Sequence, residues 1–289
     1  MKKCLFTGVA TALATPFNEN GINTKEFKRF IEFQINAGIN ALVVCGTTGE
    51  SCTMTQEEKI QAIKCVVSTV NNKIPVIVGT GSNDTSSAII NSILAEELGA
   101  DGLLVVTPYY NKTTQRGLIE HFKAISSSVS IPIILYNVPS RTGINIDPET
   151  CLQLSKIDNI IGIKEASGNI SQVAKIAQLC GNDFSIYSGN DDQIIPVLSL
   201  GGKGVISVLS NVKPELTRSI TNSFFKKATD EACYYQLQAL PLIDALFNET
   251  NPIPVKYAIN MLGFDFGTPR LPLVECSNML KEYIQKTLK

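Results

Sequence analysis

A lysine follows a short apolar run in the sequence Ile160-Ile161-Gly162-Ile163-Lys164. Side chains alternate across a β-strand, so Gly162 and Lys164 share one face while Ile161 and Ile163 share the other. If both isoleucines pack against helices, Lys164 points into the interior, where desolvation disfavours the ammonium form and frees a nucleophilic amine. The alternative is a lysine at a strand end whose amine extends into solvent.

Other polar groups follow further apolar runs and are suited to binding or proton transfer. Residues 46–49, Gly-Thr-Thr-Gly, offer the hydroxyls of Thr47 and Thr48 and backbone N–H groups that can hold a carboxylate or phosphate. The alternative for this segment is an ordinary glycine turn. Tyr136 can donate and accept a proton through its hydroxyl, or fill a core position. Arg141 can bind a carboxylate through two hydrogen bonds, or be a surface charge.

The composition excludes several other kinds of site. The chain has one histidine, His121, which we expect on a helix surface, so a His-rich metal site is excluded and we predict no bound metal. No GxSxG segment accompanies it, which argues against a Ser-His-Asp hydrolase. The eight cysteines include no CxxC pair, and we interpret them as reduced and mostly buried. A formal net charge of −1 gives no indication of binding nucleic acid or a membrane surface.

Short apolar runs alternate with longer amphipathic segments along most of the chain. The runs are apolar throughout, which is typical of strands buried on both faces of a parallel sheet, and the segments between them supply the crossovers. The pattern predicts an α/β fold, a (β/α)₈ barrel over residues 1–227, followed by a C-terminal helical region over residues 228–289. An open doubly wound sheet is the alternative. The predicted strands lie near Gly8–Leu13, Ala41–Cys45, Val76–Gly79, Gly102–Val106, Ile133–Tyr136, Ile160–Lys164, Ser185–Ser188 and Gly204–Val208.

The first residues allow two interpretations. Residues 1–14 resemble a short signal peptide with an Ala-x-Ala end, but Thr7, Gly8 and Thr11 interrupt its apolar stretch. We favour a first buried strand, and we expect a cytoplasmic protein. No apolar stretch approaches the roughly 18 residues of a membrane-spanning helix.

Five segments together resemble the dihydrodipicolinate synthase family of pyruvate-dependent class I aldolases. The resemblance implies a (β/α)₈ barrel with a C-terminal helical region. It also implies a lyase that condenses pyruvate with L-aspartate 4-semialdehyde in the diaminopimelate route of lysine biosynthesis. The five segments follow one another with the spacing of that family: Gly46–Ser51, Thr107–Asn111, Tyr136–Gly143, Gly162–Gly168 and Asn251–Lys256.

The same resemblance implies the catalytic roles. Lys164 would form a Schiff base with the ketone of pyruvate, so that no separate cofactor is needed. Tyr136 would relay protons to and from that adduct, and Thr47 would link Tyr136 to Tyr110. In this family the second tyrosine enters from a neighbouring subunit, which implies a homo-oligomer, most simply a homotetramer made of two dimers.

Four further residues are implied to bind substrate. Thr48 would hold the pyruvate carboxylate through its hydroxyl and backbone N–H. Ile206 would line the pyruvate site and accept a contact through its backbone, and Gly189 would lie in the same site. Arg141 would bind the carboxylate of the semialdehyde at the mouth of the barrel.

Many members of this family are inhibited by lysine at a subunit interface. Asn83 and Tyr109 match the pattern of that effector site. Lysine-sensitive bacterial members, however, have two histidines at the positions of Gln56 and Lys59 and a glutamate at that of Ser87. An acceptor for the ammonium group of lysine is lost and a cation is gained, so we predict weak or absent inhibition.

Two other functions stay open at this level. Another lyase of the same superfamily, acting on N-acetylneuraminate or a keto-deoxy sugar acid, would share Lys164, Tyr136 and the carboxylate-binding loop. A barrel without activity that senses keto acids is a different kind of alternative. Arg141 favours a second substrate with a carboxylate, and the set of Lys164, Tyr136 and Thr47 favours an enzyme.

Overall fold

Eight parallel strands form a closed barrel in the computed structural model, which describes Lys2 and residues 4–288. Each strand pairs with the next along the chain, and the last pairs with the first. This confirms the predicted (β/α)₈ barrel. The strands are β1 Gly8–Ala12, β2 Ala41–Val44, β3 Val76–Gly79, β4 Gly102–Val106, β5 Ile133–Asn137, β6 Ile160–Glu165, β7 Ser185–Ser188 and β8 Gly204–Ser207.

The barrel wall separates two clusters of buried apolar side chains. One fills the inside of the barrel and includes Ala10 and Val43, whereas the other lies between strands and helices and includes Val9 and Leu42. Neighbouring residues of one strand therefore point to opposite clusters, and both faces are buried except at the ends of β3 and β4. Burial on both faces is why the strands are continuous apolar runs in the sequence.

The pairing of β5 with β6 skips one residue, because consecutive residues of β5 lie opposite Ile160 and Gly162. The skipped residue, Ile161, packs in the inner cluster, whereas Ile163 packs in the outer one. The expectation that both isoleucines pack on helices is therefore wrong for Ile161, because a β-bulge breaks the alternation there. Beyond the bulge the alternation is regular, and Lys164 lies on the inner face as predicted.

Helices connect the strands at the places where amphipathic segments occur in the sequence. The helix that begins after Thr55 has a capping box, since the side chains of Thr55 and Glu58 each accept a hydrogen bond from the other residue's backbone N–H. No helix within the described ranges has the length and apolarity to cross a membrane. The helices are α1 Thr24–Asn36, α2 Gln56–Val70, α3 Thr85–Glu97, α4 Gln115–Ser126, α5 Pro139–Thr142, α6 Pro148–Leu154, α7 Ile170–Cys180, α8 Ile194–Ser199, α9 Pro214–Phe225, α10 Thr229–Phe247, α11 Ile253–Met261 and α12 Asn278–Thr287.

Residues towards both ends of the described chain belong to the buried structure of the barrel. Residues 8–12 form the buried strand β1, which confirms the strand interpretation of this segment, while Met1 and Lys3 lie outside the described residues. At the other end, Leu246 of α10 and Val255 of α11 belong to the cluster that covers the outside of the strands. The cytoplasmic location stays a prediction.

The single histidine is buried, so the expectation of a helix-surface residue is wrong. His121 is 6% exposed, and its Nδ1 lies 2.9 Å from the hydroxyl of Thr85 at the start of α3. Leu118, His121, Phe122 and Ile125 follow the i, i+3, i+4, i+7 spacing of one helix face, which places the histidine in the apolar stripe. Burial lowers the pKa of His121, and the nearby Asp84 opposes that shift.

All eight cysteines are free thiols, but only half of them are buried. Burial raises the pKa of the Cys45 thiol to about 12, which makes the thiolate unavailable near neutrality. The interpretation of mostly buried cysteines is therefore wrong for the other half, whose members lie at or near the surface. These are Cys4, Cys52, Cys180 and Cys233.

Candidate active site

A cavity of about 170 Å³ lies where the carboxyl ends of the strands meet. This is the end of a (β/α)₈ barrel at which loops are free to carry chemistry. The structure brings most of the predicted catalytic and substrate-binding residues to it. Those that line the cavity are Thr47, Thr48, Tyr136, Arg141, Lys164 and Gly189.

Lys164 and Tyr136 lie side by side on neighbouring strands. They are register partners of β6 and β5, and the Lys164 Nζ lies 4.4 Å from the centroid of the Tyr136 ring. Both side chains are buried, with Lys164 6% exposed. The amine therefore faces the cavity from within the barrel against an aromatic face, as a nucleophile for a small substrate requires.

The space around Lys164 depends on a glycine. A Cβ atom at Gly189 would lie 3.1 Å from the Cε of Lys164 and 2.6 Å from the Cβ of Ala166. Both distances are shorter than ordinary carbon contacts, so a larger residue at Gly189 would press on the lysine side chain and, more severely, on Ala166. The loop after β7 thus lies close to the Lys164 amine because it carries no side chain there.

Thr48 and Arg141 are linked through a residue that sequence reasoning did not single out. The Asn251 side-chain amide donates to the Thr48 hydroxyl at 3.1 Å, and the Asn251 carbonyl accepts from the Arg141 Nη2 at 3.4 Å. Thr48 is buried, whereas Arg141 lies exposed on the short helix α5. The only sequence signal was that Asn251 begins one of the five matching segments.

Thr47 is half-buried in the cavity wall and Tyr110 is 91% exposed. Tyr110 also has a backbone φ of +69°, in the left-handed region. The described residues include no direct hydrogen bond from Thr47 to Tyr136 or to Tyr110. The predicted proton relay through these three residues therefore stays a prediction.

Ile206 does not line the cavity. It is fully buried on the inner face of β8, in register with Ala10, and belongs to the apolar cluster inside the barrel. The chain reaches the cavity two residues later, at Val208. Ile206 would therefore contact pyruvate through its backbone alone, and this role stays a prediction.

A buried carboxylate connects the loops after β7 and β8. The Asp191 Oδ2 accepts from the backbone N–H groups of Val208 and Leu209, each at 2.9 Å. Its Oδ1 has no partner among the described residues. Burial raises the pKa of Asp191, while the neighbouring Ser207 and these two N–H groups oppose that shift. No sequence pattern points to Asp191, although it holds the loop of Gly189 against the end of β8.

The described part of the chain has no group of three or more His, Cys, Asp or Glu side chains placed to hold a metal ion. The candidate site itself offers hydroxyls, a lysine, an arginine and amides. These groups can bind carboxylates and transfer protons. The prediction that no metal and no separate cofactor take part stays untested by this geometry.

A larger cavity of about 330 Å³ adjoins the first and shares Thr47, Tyr136 and Arg141 with it. Tyr109 lines this outer cavity, and burial raises the pKa of its hydroxyl. The other predicted effector residues, Asn83, Gln56, Lys59 and Ser87, do not line it. Of the five predicted effector residues, Tyr109 alone lines this outer cavity.

A family model described as "Dihydrodipicolinate synthetase family" matches residues 5–289. The chain belongs to this family. The 4-hydroxy-tetrahydrodipicolinate synthase 1 of Clostridium acetobutylicum is 56% identical over 269 residues, covering 93% of this chain and 92% of that protein.

Solved structures of the dihydrodipicolinate synthetase family have the same fold. The dihydrodipicolinate synthase of Thermotoga maritima superimposes with a TM-score of 0.97 at 42% identity, covering 99% of this chain and 98% of that one. The enzyme of Cyanidioschyzon merolae, solved with lysine bound, superimposes with a TM-score of 0.96 at 38% identity, covering 99% of this chain and 98% of that one. These findings confirm the predicted family and the predicted function, a lyase-type 4-hydroxy-tetrahydrodipicolinate synthase.

Proposed function

We propose that this chain condenses pyruvate with L-aspartate 4-semialdehyde through a Schiff base on Lys164. The observation that carries the proposal is the buried Lys164 amine, 4.4 Å from the centroid of the Tyr136 ring, in a cavity that also contains Thr48. The cavity volume of about 170 Å³ suits a small substrate. The names of the relatives at about half identity support the same pair of substrates.

The reaction begins with pyruvate bound by its carboxylate to the hydroxyl and backbone N–H of Thr48. The neutral amine of Lys164 attacks the ketone carbon, and the ketone oxygen leaves as water once it has received two protons. Tyr136, beside the amine, donates and accepts these protons through its hydroxyl. The product of this step is an iminium ion between Lys164 and the substrate.

The iminium draws electrons from the neighbouring methyl group, so that loss of one methyl proton gives an enamine. Its terminal carbon attacks the aldehyde carbon of the semialdehyde, whose carboxylate is bound by Arg141. The resulting alkoxide takes up a proton. The amino group of the second substrate then replaces Lys164 at the iminium carbon, which closes the ring and restores the free enzyme.

The adduct itself tests this assignment. Incubation with pyruvate followed by borohydride reduction is expected to add the mass of reduced pyruvate to the peptide that contains Lys164. Lys164→Ala is the control and is expected to trap nothing. An adduct on another lysine, or none in the wild-type protein, contradicts the proposal. Turnover with pyruvate and aspartate semialdehyde, compared with pyruvate and N-acetylmannosamine, separates this synthase from a sugar-acid lyase and from a sensor.

We also propose that the protein is a homotetramer in which Tyr110 completes the site of a neighbouring subunit. The exposure of Tyr110 supports the proposal, because a tyrosine 91% exposed in one chain is available to a second copy. Sedimentation at assay concentration tests it. A fully active monomer contradicts both the assembly and the shared tyrosine.

A further inference from the structure

Glu50 ends the turn that carries Thr47 and Thr48. Its backbone N–H donates to the Thr47 carbonyl at 3.1 Å, and the Gly49 N–H donates to the Gly46 carbonyl at the same distance. Glu50 has φ +57° and ψ +34°, a left-handed conformation that a residue with a side chain rarely adopts. Such a conformation persists only where the surrounding contacts hold it, which directs attention to the Glu50 side chain.

The Glu50 carboxylate is fully engaged inside the protein. Its Oε1 accepts from the Lys256 Nζ at 2.9 Å, and its Oε2 accepts from the backbone N–H of Arg270 at 2.8 Å. Both charged side chains of the pair are 1% exposed. Lys256 also donates to the Thr268 carbonyl at 3.1 Å and lies 4.6 Å from the centroid of the Phe17 ring. The ion pair is thus surrounded by partners and closed to water.

The C-terminal segment that supplies Lys256 touches the same turn at a second point. Asn251, five residues earlier, donates from its side chain to the Thr48 hydroxyl at 3.1 Å. Residues 251–256 therefore contact the turn at Thr48 and again at Glu50. These two contacts connect the C-terminal helical region directly to the residue assigned to the pyruvate carboxylate.

Stability alone does not account for a buried ion pair at this position. Removing two charges from water costs about as much as their attraction returns, and apolar residues of similar size are often at least as stabilising. Burial lowers the pKa of Lys256, and the attraction of Glu50 opposes that shift. Unlike apolar residues, the ion pair fixes the distance and direction between two backbone segments, the turn that ends at Glu50 and residues 251–256.

We propose that the buried Glu50–Lys256 ion pair positions the turn of Thr47 and Thr48 and so sets the affinity of the site for the pyruvate carboxylate. Glu50 and Lys256 are positioning residues, because they act through Thr48 without touching substrate themselves. The proposal rests on the proposed function of Lys164 and Thr48. Its consequence is a defect in pyruvate binding that leaves the reactive lysine intact.

The test measures the amount of borohydride-trapped adduct against pyruvate concentration. The double variant Glu50→Gln with Lys256→Met removes both charges, so that neither is left buried without its partner. A misplacement of about 1 Å in a binding residue costs up to about 100-fold, so we expect the half-saturating pyruvate concentration to rise roughly 10- to 100-fold. The adduct formed at saturation is expected to equal that of the wild type, because Lys164 is unchanged.

The control variant Glu275→Gln with Lys281→Met removes a more exposed ion pair, 3.3 Å long, from the same C-terminal region. It is expected to leave the half-saturating concentration unchanged. A folded double variant with wild-type pyruvate dependence, even with a lowered melting temperature, overturns the proposal. If the double variant does not fold, Glu50→Asp decides, because it keeps the charge but draws the carboxylate back, and unchanged pyruvate binding overturns the proposal again. Absence of any adduct in the wild type instead refutes the proposed function, and the positioning role with it.

Discussion

Lys164 and Tyr136 lie on adjacent strands at the floor of the cavity, whereas Thr48 and Arg141 lie on a loop and a short helix at its rim. The floor residues are fixed by the hydrogen-bonded register of β5 and β6. The rim residues instead contact a distant part of the chain, since Asn251 bonds to Thr48 at 3.1 Å and more weakly to Arg141 at 3.4 Å. Floor changes are therefore expected to affect the chemical step, and rim changes the binding of one substrate.

The strongest test of this difference is Tyr136→Phe at the floor. The ring stays, so the contact with Lys164 is kept and only the hydroxyl is lost. Because a positioned proton donor contributes about 10²- to 10⁴-fold to a rate, we expect kcat to fall by that amount with little change in either KM. Steady-state kinetics checks the expectation, and a fall of less than tenfold contradicts it.

Tyr187→Phe is the matched control for that experiment. Tyr187 lies on β7 in register with Lys164, but its hydroxyl donates to the Phe6 carbonyl at 2.9 Å inside the barrel. Loss of this hydrogen bond is expected to lower the free energy of unfolding by about 1 kcal/mol and to leave kcat nearly unchanged. Thermal unfolding and kinetics of the two variants therefore separate proton transfer from packing.

The floor residues could be predicted from the sequence better than the rim contacts. The alternation of side chains from Gly162 to Lys164 places Lys164 on the inner face correctly, because this pattern depends only on the geometry of one strand. It fails at Ile161, because a bulge depends on the pairing of two strands. The prediction for His121 fails for a different reason. The polarity of histidine favours the surface, whereas its spacing places it on the apolar face of the helix.

The rim contacts have no comparable local pattern. Asn251 and Lys256 reach Thr48 and Glu50 across some 200 residues of chain. The sequence shows these residues within matching segments but does not show that they meet. Contacts of this kind follow from packing the C-terminal helices on the barrel, and periodicity within a single element does not predict them.

Gly189→Ala is expected to have the next largest effect. The added methyl group would lie 2.6 Å from the Cβ of Ala166, so the backbone at one of these two residues must shift. It would also lie 3.1 Å from the Cε of Lys164, so the lysine side chain must adjust as well. We expect kcat/KM for pyruvate to fall roughly 10- to 100-fold, as a displacement of about 1 Å at a reacting group does. Gly168→Ala is the control, because a Cβ atom there would have no neighbour within 4 Å. Its φ of +78° is unfavourable for alanine, so we expect some loss of stability but little change in kcat/KM.

At the rim, Arg141→Ala is expected to act on one substrate only. Arg141 is exposed and bonds only weakly, at 3.4 Å, to the Asn251 carbonyl, so its removal costs the fold little. Loss of charged hydrogen bonds to the semialdehyde carboxylate is expected to cost about 1.5–3 kcal/mol of binding. That corresponds to a KM for the semialdehyde raised roughly 10- to 100-fold. An equal rise for pyruvate contradicts the assignment of Arg141 to the second substrate.

The smallest expected effect is that of added L-lysine. At the position of Ser87 there is no carboxylate to accept an ammonium group, and the Ser87 hydroxyl already donates to Asp84 at 2.7 Å. Lys59 brings a second cation to the same predicted site, and like charges oppose binding. We therefore expect initial rates at sub-saturating pyruvate to stay unchanged up to millimolar lysine. The double variant Lys59→His with Ser87→Glu removes the added cation and supplies the missing carboxylate, and it is expected to become sensitive. Inhibition of the wild type at submillimolar lysine contradicts this prediction and would mean that the outer cavity, which contains Tyr109, binds the amino acid despite Lys59 and without a carboxylate at position 87.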